Sequence, residues 1–111
     1  MENYSEEIIQ KVWNKAAHIG HNDPNMWRKD KCGAWIGRHH FQEKSEFGWG
    51  IVKLPGAVTD ENDETSGLIP LQWENKLASE SGKLMCKIKA SDKNRFRNIE
   101  GHSLQDIGEP E

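Results

Sequence analysis

Apolar residues recur at helical spacing near the start of the chain. Ser5 precedes this stretch and can cap a helix, and the acidic Glu6 and Glu7 suit the positive end of a helix dipole. The apolar stripe predicts a helix over residues 5–17 with one face in the core, formed by Ile8, Ile9, Val12, Trp13 and Ala16.

Two short stretches further on, "CGAWIGR" and "WGIVKL", are rich in aromatic and β-branched residues, and the polar stretch "HHFQEKSEFG" separates them. This pattern predicts two strands. Because they are neighbours along the chain, we expect them to pair with each other as antiparallel strands. Gly20 and the Asp23-Pro24 pair predict a loop in front of them, followed by a short helical turn over residues 26–28.

The second half begins with a polar and acidic stretch over residues 55–67, which predicts a long loop. Loops of this length in a compact domain are usually functional or disordered. Residues 68–71 predict a short strand, and "QWENKLASE" predicts a helix. Apolar residues become sparse after residue 90. We therefore expect an α+β domain over residues 1–90 and a polar, poorly ordered tail over residues 91–111.

Length and composition limit the protein class. A chain of 111 residues suits one small domain, and its 34% hydrophobic and 30% charged residues are typical of a soluble protein. No window approaches the run of about 18 apolar residues that spans a membrane. The start, "MENYSEEIIQ", lacks the basic and apolar pattern of a secretory signal, so we expect a cytoplasmic location.

The two cysteines, Cys32 and Cys86, could form a disulfide, but intracellular chains usually keep such residues reduced and buried, and that is our expectation. Zinc-compatible side chains occur nearby, but their spacing matches no familiar zinc knuckle. We therefore predict no metal and no cofactor, and leave open a structural zinc held among His18, His21, Cys32, His39 and His40.

Charge is unevenly distributed although the net charge is only -3. The stretch "DENDE", residues 60–64, has four acids in five positions. Residues 83–97 contain six basic residues and only Asp92 against them. The basic segment suits phosphate contacts, whereas the net negative charge argues against general polyanion binding.

Three stretches, "WRKDKCGAWIGR", "FGWGIVKLPG" and "GLIPLQWENK", resemble a bacterial branch of the HNH endonuclease family in order and spacing. The resemblance spans residues 12–86 and implies a ββα-metal motif, in which a β-hairpin and a helix hold one divalent ion. In that family, a metal-binding Asp is followed by a His that acts as the general base. An Asn orients this His, and a His or Asn on the helix completes the coordination.

At these four positions, the chain has residues that cannot perform the family's chemistry. Val52 replaces the metal-binding Asp, and Lys53 replaces the catalytic His. Gly67 replaces the orienting Asn, and Lys76 replaces the helix ligand. The resemblance thus implies a scaffold without its catalytic site, in which two lysines substitute for the charge of the ion or are merely solvated.

The residues that the chain shares with the family pattern are mostly aromatic, small or turn residues, which suit a scaffold. Asp30 and Glu74 are polar exceptions, and we expect a buried pairing with Arg28.

The sequence leaves several functions open. The first is a pseudo-nuclease that binds nucleic acid, or a protein that handles it, without cleavage. Its candidate contacts are Lys53, Lys76, Lys83, Lys87, Lys89, Lys93, Arg95 and Arg97. The second is a small phage or mobile-element inhibitor that acts by protein–protein contact, with the 60–64 loop facing a basic partner. The third is an active nuclease with rearranged ligands such as His39 or His40.

Overall fold

The computed structural model describes residues 4–54, 60, 62–80, 82–91, 93 and 96–101. This part of the chain folds into a small α+β domain of two α-helices and three two-stranded antiparallel hairpins, which confirms the predicted fold class. In chain order, the elements are α1 (Glu6–Trp13), β1 (Trp27–Lys29), β2 (Trp35–Gly37), a 3-10 turn (Arg38–His40), β3 (Trp49–Lys53), β4 (Leu68–Gln72), α2 (Trp73–Ala78), β5 (Ile88–Ala90) and β6 (Asn98–Glu100).

Helix α1 begins where the sequence predicts and ends earlier. The Ser5 hydroxyl accepts a hydrogen bond from the Ile8 amide at 3.2 Å and caps the first turn. The helix ends at Trp13, and the following chain turns so that Ala17 bridges to Lys29 of β1. Its apolar stripe lies in the core, as predicted, where it packs against β2 and β3. That core consists of Ile9, Val12, Trp13, Ala16, Ile36, Trp49 and Ile51.

The predicted pairing between neighbouring strands is wrong. β2 pairs with β1, and β3 pairs with β4. The predicted helical turn at residues 26–28 is wrong as well, because Trp27–Lys29 is strand β1. A tight turn explains this hairpin: Gly33 has a φ of +85°, and the Asp30 carboxylate accepts the amides of Cys32 and Ala34 at 2.9 and 2.8 Å.

Strand β6 lies in the stretch where the sequence predicts a poorly ordered tail. Asn98–Glu100 pairs with β5, and the Asn98 side chain exchanges hydrogen bonds with the backbone of Trp35 at 2.7 and 2.9 Å. The predicted tail therefore contributes a strand that is attached to β2. The division of the chain after residue 90 stays a prediction, and residues 102–111 lie outside the described residues.

The cysteines contradict the expectation of reduced thiols. Cys32 and Cys86 form a disulfide, which links the β1–β2 turn to the segment between α2 and β5. The two residues are 54 positions apart in the sequence, and the tertiary fold brings them together.

A buried polar pair lies beside this disulfide. Asp30 is only 4% exposed, and its carboxylate accepts the Gln72 amide at 2.8 Å and the Asn75 side-chain amide at 3.0 Å. Asn75 in turn accepts the amides of Lys87 and Ile88, both at 2.7 Å. The Asp30–Asn75 pair thus holds the segments that carry both cysteines.

The expected pairing of Arg28 with Asp30 and Glu74 is wrong. Arg28 donates to the backbone carbonyls of Asn14, Ala16 and Pro24 at 2.9 to 3.0 Å, and so ties the chain after α1 to β1. The Glu74 carboxylate instead lies 3.8 Å from the Lys87 ammonium. Burial raises the pKa of Asp30 above its ordinary value, and the N–H donors around it oppose that rise.

Candidate functional site

Strands β3 and β4 and helix α2 form a ββα unit in the order that the sequence motifs suggest. The strands pair over five residues, from Trp49 opposite Gln72 to Lys53 opposite Leu68. Gln72 then caps α2, because its side-chain oxygen accepts the amides of Glu74 and Asn75 at 2.8 and 3.3 Å. The Trp73 amide donates to the Gly48 carbonyl at 2.8 Å and fixes the start of the helix against the hairpin.

The two faces of this hairpin have different neighbours. Side chains alternate along a strand, so Trp49, Ile51 and Lys53 share one face, and Gly50 and Val52 share the other. Trp49 and Ile51 belong to the core with α1. On the opposite face, a Cβ added at Gly50 would lie 2.8 Å from Cδ of Lys76, so the Lys76 stem crosses the hairpin at that residue.

The four positions named from the resemblance are therefore not all on one face. Val52 is half-buried opposite Ile69, on the face that Lys76 covers, whereas Lys53 is exposed at the end of the α1 face. Gly67 has a φ of +82° and precedes β4, where its carbonyl accepts the Leu54 amide at 3.0 Å. The side chains of Lys53 and Lys76 therefore lie on opposite faces of the hairpin, and Lys53 does not line the cavity to which Lys76 contributes.

A cavity of about 440 Å³ lies between β3, α2 and the chain after the 3-10 turn. Its cationic side chains are Lys44 and Lys76, and the core residue Trp49 contributes to its wall. The indole nitrogen of Trp49 is buried and has no hydrogen-bond partner in the described part of the chain. The complete lining comprises Gln42, Glu43, Lys44, Trp49, Gly50, Trp73, Lys76 and Leu77.

Glu43 is the acidic side chain in this lining, and its carboxylate has local partners. It lies 2.7 Å from the His40 ring nitrogen and accepts the Ser45 hydroxyl at 3.2 Å. The hydrogen bond with His40 holds the pKa of Glu43 below its ordinary value. With Lys44 and Lys76 against Glu43, the lining has a formal charge of +1.

The zinc-compatible residues of the sequence do not assemble. Across the described residues, no three His, Cys, Asp or Glu side chains are close enough together to hold a metal ion. The Cys32 sulfur is bonded to Cys86, and His40 is stacked on Trp27 with ring centroids 6.3 Å apart.

The basic segment is divided among different environments. Lys83, Lys89 and Lys93 are exposed. Lys87 lies 3.8 and 3.9 Å from the carboxylates of Glu74 and Glu100. The guanidinium of Arg97 donates to Glu46 at 3.0 Å, and Arg95 lies outside the described residues.

The acidic loop is folded against α1 in the positions that the structure describes. Lys15 donates to the carbonyls of Thr65 and Leu68, and the Lys11 ammonium lies 3.7 Å from the Glu64 carboxylate. Hydrogen bonds from the Thr65 hydroxyl and amide lower the pKa of Asp63. The contact between Lys11 and Glu64 thus offsets part of the loop's negative charge within the chain itself.

An aromatic cluster on the outer side of the β1–β2 hairpin was not predicted. Trp27 contacts the rings of Phe47 and Phe96 at centroid distances of 5.1 and 5.3 Å, and Phe96 stacks on Trp35 at 4.5 Å. The sequence contains one signal, because Trp27 and Lys29 are two residues apart and share a face when this segment is a strand. Phe47 and Phe96 join Trp27 only through the tertiary fold.

Comparisons with protein-family models, with curated proteins and with solved structures find no match for this chain. The α+β class is thus established by the structure itself, while the HNH resemblance stays a prediction from the motifs. Within the described residues, no helix is long and apolar enough to cross a membrane.

Proposed function

We propose that this chain is a nucleic-acid-binding protein that uses an HNH-like ββα scaffold to hold phosphate without cleaving it. The observation that carries this proposal is the cavity between β3 and α2, which has Lys44 and Lys76 in its lining. Two lysine side chains in the lining of a tryptophan-containing cavity suit a phosphate with an attached base or sugar.

The residues of the ββα unit do not fit the metal that the family uses. Val52 has no donor atom, and Gly67 has no side chain. The side chain of Lys76 covers the hairpin face at Gly50, on the side where Val52 lies. Hydrolysis by this family's route needs a metal-bound phosphate and a positioned histidine base, so the proposal is for binding alone.

Fixed cations can replace only part of what a divalent ion does. Lys44 and Lys76 can neutralise a phosphate and hold it, because their charge does not depend on a bound ion. Neither supplies a metal-bound water for attack. Glu43 reduces the local charge, and its contacts with His40 and Ser45 orient it within the lining. The site therefore suits phosphate binding of moderate strength.

Binding to fluorescently labelled single-stranded and duplex DNA tests the proposal, measured by anisotropy over a range of salt concentrations. We expect affinity to fall with salt with a log-log slope of about -1.4 for single strands and about -1.8 for duplex DNA, which corresponds to one phosphate contact each for Lys44 and Lys76. Lys76→Gln should weaken binding and flatten the slope by about 0.7 to 0.9. Lys11→Gln, on α1 and outside the cavity lining, is the matched control and should leave the slope unchanged.

The same preparations should leave supercoiled and single-stranded DNA intact with magnesium, manganese, zinc or nickel. Metal-dependent cleavage that follows the protein through purification and disappears on His39→Ala or His40→Ala would replace the proposal with an active nuclease. Absence of binding at low salt would reject nucleic acid as the ligand and favour the small protein–protein inhibitor.

A further inference from the structure

The β1–β2 hairpin has an inner and an outer face, and its cross-strand register shows which residues share each face. Arg28 pairs with Ile36, and this pair faces inward, since Ile36 is in the core. Trp27 pairs with Gly37, and Lys29 pairs with Trp35, so these residues lie on the outer face. The outer face thus alternates aromatic and cationic side chains.

The outer face is extended by residues from three other parts of the chain. The His40 ring covers Gly37 so closely that an added Cβ would lie 2.5 Å from its Cδ2. Phe47 meets Trp27 edge-on, at an interplanar angle of 75°. Phe96 lies between Trp27 and Trp35. We call this set the aromatic platform; its members are Trp27, Trp35, His40, Phe47 and Phe96.

The platform is only partly covered by the described residues. Trp27, Phe47 and Phe96 are half-buried and the His40 side chain is 37% exposed, whereas Trp35, on which Phe96 stacks, is buried. Phe96 has a φ of +53°, a left-handed conformation that is costly for a bulky residue. Such strain persists only where the surroundings impose it, and here it accompanies the stacking of the Phe96 ring on Trp35.

Basic residues lie on β1 and on the loop that carries Phe96, next to members of the platform. The Lys29 ammonium lies 4.9 Å from the centre of the Trp35 ring. Lys93 and Arg97 belong to the loop that carries Phe96, which is closed by a hydrogen bond from the Ser91 amide to the Arg97 carbonyl at 2.8 Å. Of the acidic residues nearby, Glu46 pairs with Arg97 and Glu43 contacts His40. With Arg97 neutralised by Glu46, the described residues leave two lysines, Lys29 and Lys93, against the one carboxylate of Glu43.

We infer that the aromatic platform binds single-stranded nucleic acid, with bases stacked on its half-exposed rings and phosphates near Lys29 and Lys93. This inference rests on the proposed function, since it names the form of nucleic acid and a second contact surface. Half-exposed rings bordered by cations are the combination that single-strand binders use, because every base has a face that can stack. In a duplex, the bases are already stacked on one another and are not available to these rings.

The test compares three labelled ligands with the wild-type chain at low salt: an oligothymidylate of about 12 nucleotides, an abasic strand of the same length and a duplex of that length. The abasic strand keeps the phosphates and loses the bases. We expect the oligothymidylate to bind at least about fivefold more tightly than the abasic strand, as stacking of one base requires. Quenching of tryptophan fluorescence should accompany oligothymidylate binding and not abasic binding.

Trp27→Leu keeps apolar bulk and removes the ring. It should remove the preference for oligothymidylate over the abasic strand, while Phe41→Leu, a half-buried aromatic that packs on Trp49, should retain it. If Trp27→Leu loses the native circular dichroism, Phe96→Leu repeats the comparison.

Equal binding of oligothymidylate and the abasic strand would overturn the inference that the platform stacks bases. A preference for oligothymidylate that survives in both Trp27→Leu and Phe96→Leu would overturn it as well. The proposed function would still stand in those cases if Lys76→Gln weakened binding. Absence of binding to all three ligands would overturn both the platform inference and the proposed function.

Discussion

Reduction of the Cys32–Cys86 disulfide should lower the stability of the domain and leave its fold intact. The bridge joins residues separated by 54 positions. For a closed loop of this length, the loss of chain entropy in the unfolded state corresponds to about 4 kcal/mol at 25 °C. In a domain of this size, that is about 15 °C in melting temperature. The fold should survive because the Asp30–Asn75 pair holds both cysteine-bearing segments by hydrogen bonds.

Urea unfolding followed by circular dichroism, with and without a phosphine reductant, measures this difference. The reduced chain should unfold at lower urea with a steeper dependence on urea, since its unfolded state is more expanded. The double variant Cys32→Ala/Cys86→Ala is the control, and the reductant should not affect it. The reasoning would be refuted if oxidised and reduced chains unfolded at the same urea concentration. Two free thiols in protein isolated without reductant would refute the bridge itself.

Further predictions concern single positions and the rebuilt site. Asp30→Asn should destabilise the domain by about 3 kcal/mol, because the NH2 group of Asn would replace a side-chain oxygen that accepts two N–H groups. Since burial raises the pKa of Asp30, its titration contributes stability that is complete below about pH 3.9 and is lost as pH rises through the folded pKa. The difference in free energy of unfolding between wild type and Asp30→Asn, measured by urea unfolding, should therefore shrink above about pH 4. A difference that grows with pH would contradict this. Gly48→Ala should lower the free energy of unfolding by at least about 3 kcal/mol in thermal unfolding, since its Cβ would lie 1.8 Å from the Glu43 carbonyl oxygen. Gly20→Ala, whose Cβ would have nothing within 4 Å, should cost about 1 kcal/mol. Equal costs for the two variants would be inconsistent with the close approach at Gly48. The double variant Val52→Asp/Lys76→Asn places two oxygen ligands on the hairpin face that Lys76 covers, so it should gain about 2.7 kcal/mol from a divalent metal at about 100 times its Kd, and the parent should not. A folded variant without this gain would reject the HNH alignment of these positions.

The candidate site was predictable only in part. The order of strand, strand and helix in the ββα unit follows from local pattern, and so does the absence of metal donors at Val52 and Gly67. The sequence does not show that the side chains of Lys53 and Lys76 lie on opposite faces of the hairpin, because this depends on which face α2 covers. Nor does it show that Lys87 and Arg97 lie beside Glu74 and Glu46, since these partners come from distant segments.

By itself, the sequence determined the features that depend on neighbours along the chain. Helix α1 is an example, because its cap at Ser5 and its apolar stripe are within a few residues of each other. The start of α2 at Gln72 is another. The α+β class follows from the same local patterns.

Only the tertiary structure decided the strand partners, the disulfide and the aromatic platform. Proximity in sequence favours β2 with β3, but the tight turn at Gly33 returns the chain to β1, and β3 finds its partner across a long loop. Likewise, Cys32 meets Cys86, and Phe96 reaches Trp35, because β5 and β6 pack beside the first hairpin. The physical reason is that contacts between distant residues form when whole elements bury their surfaces together, and local periodicity carries no information about which elements will meet.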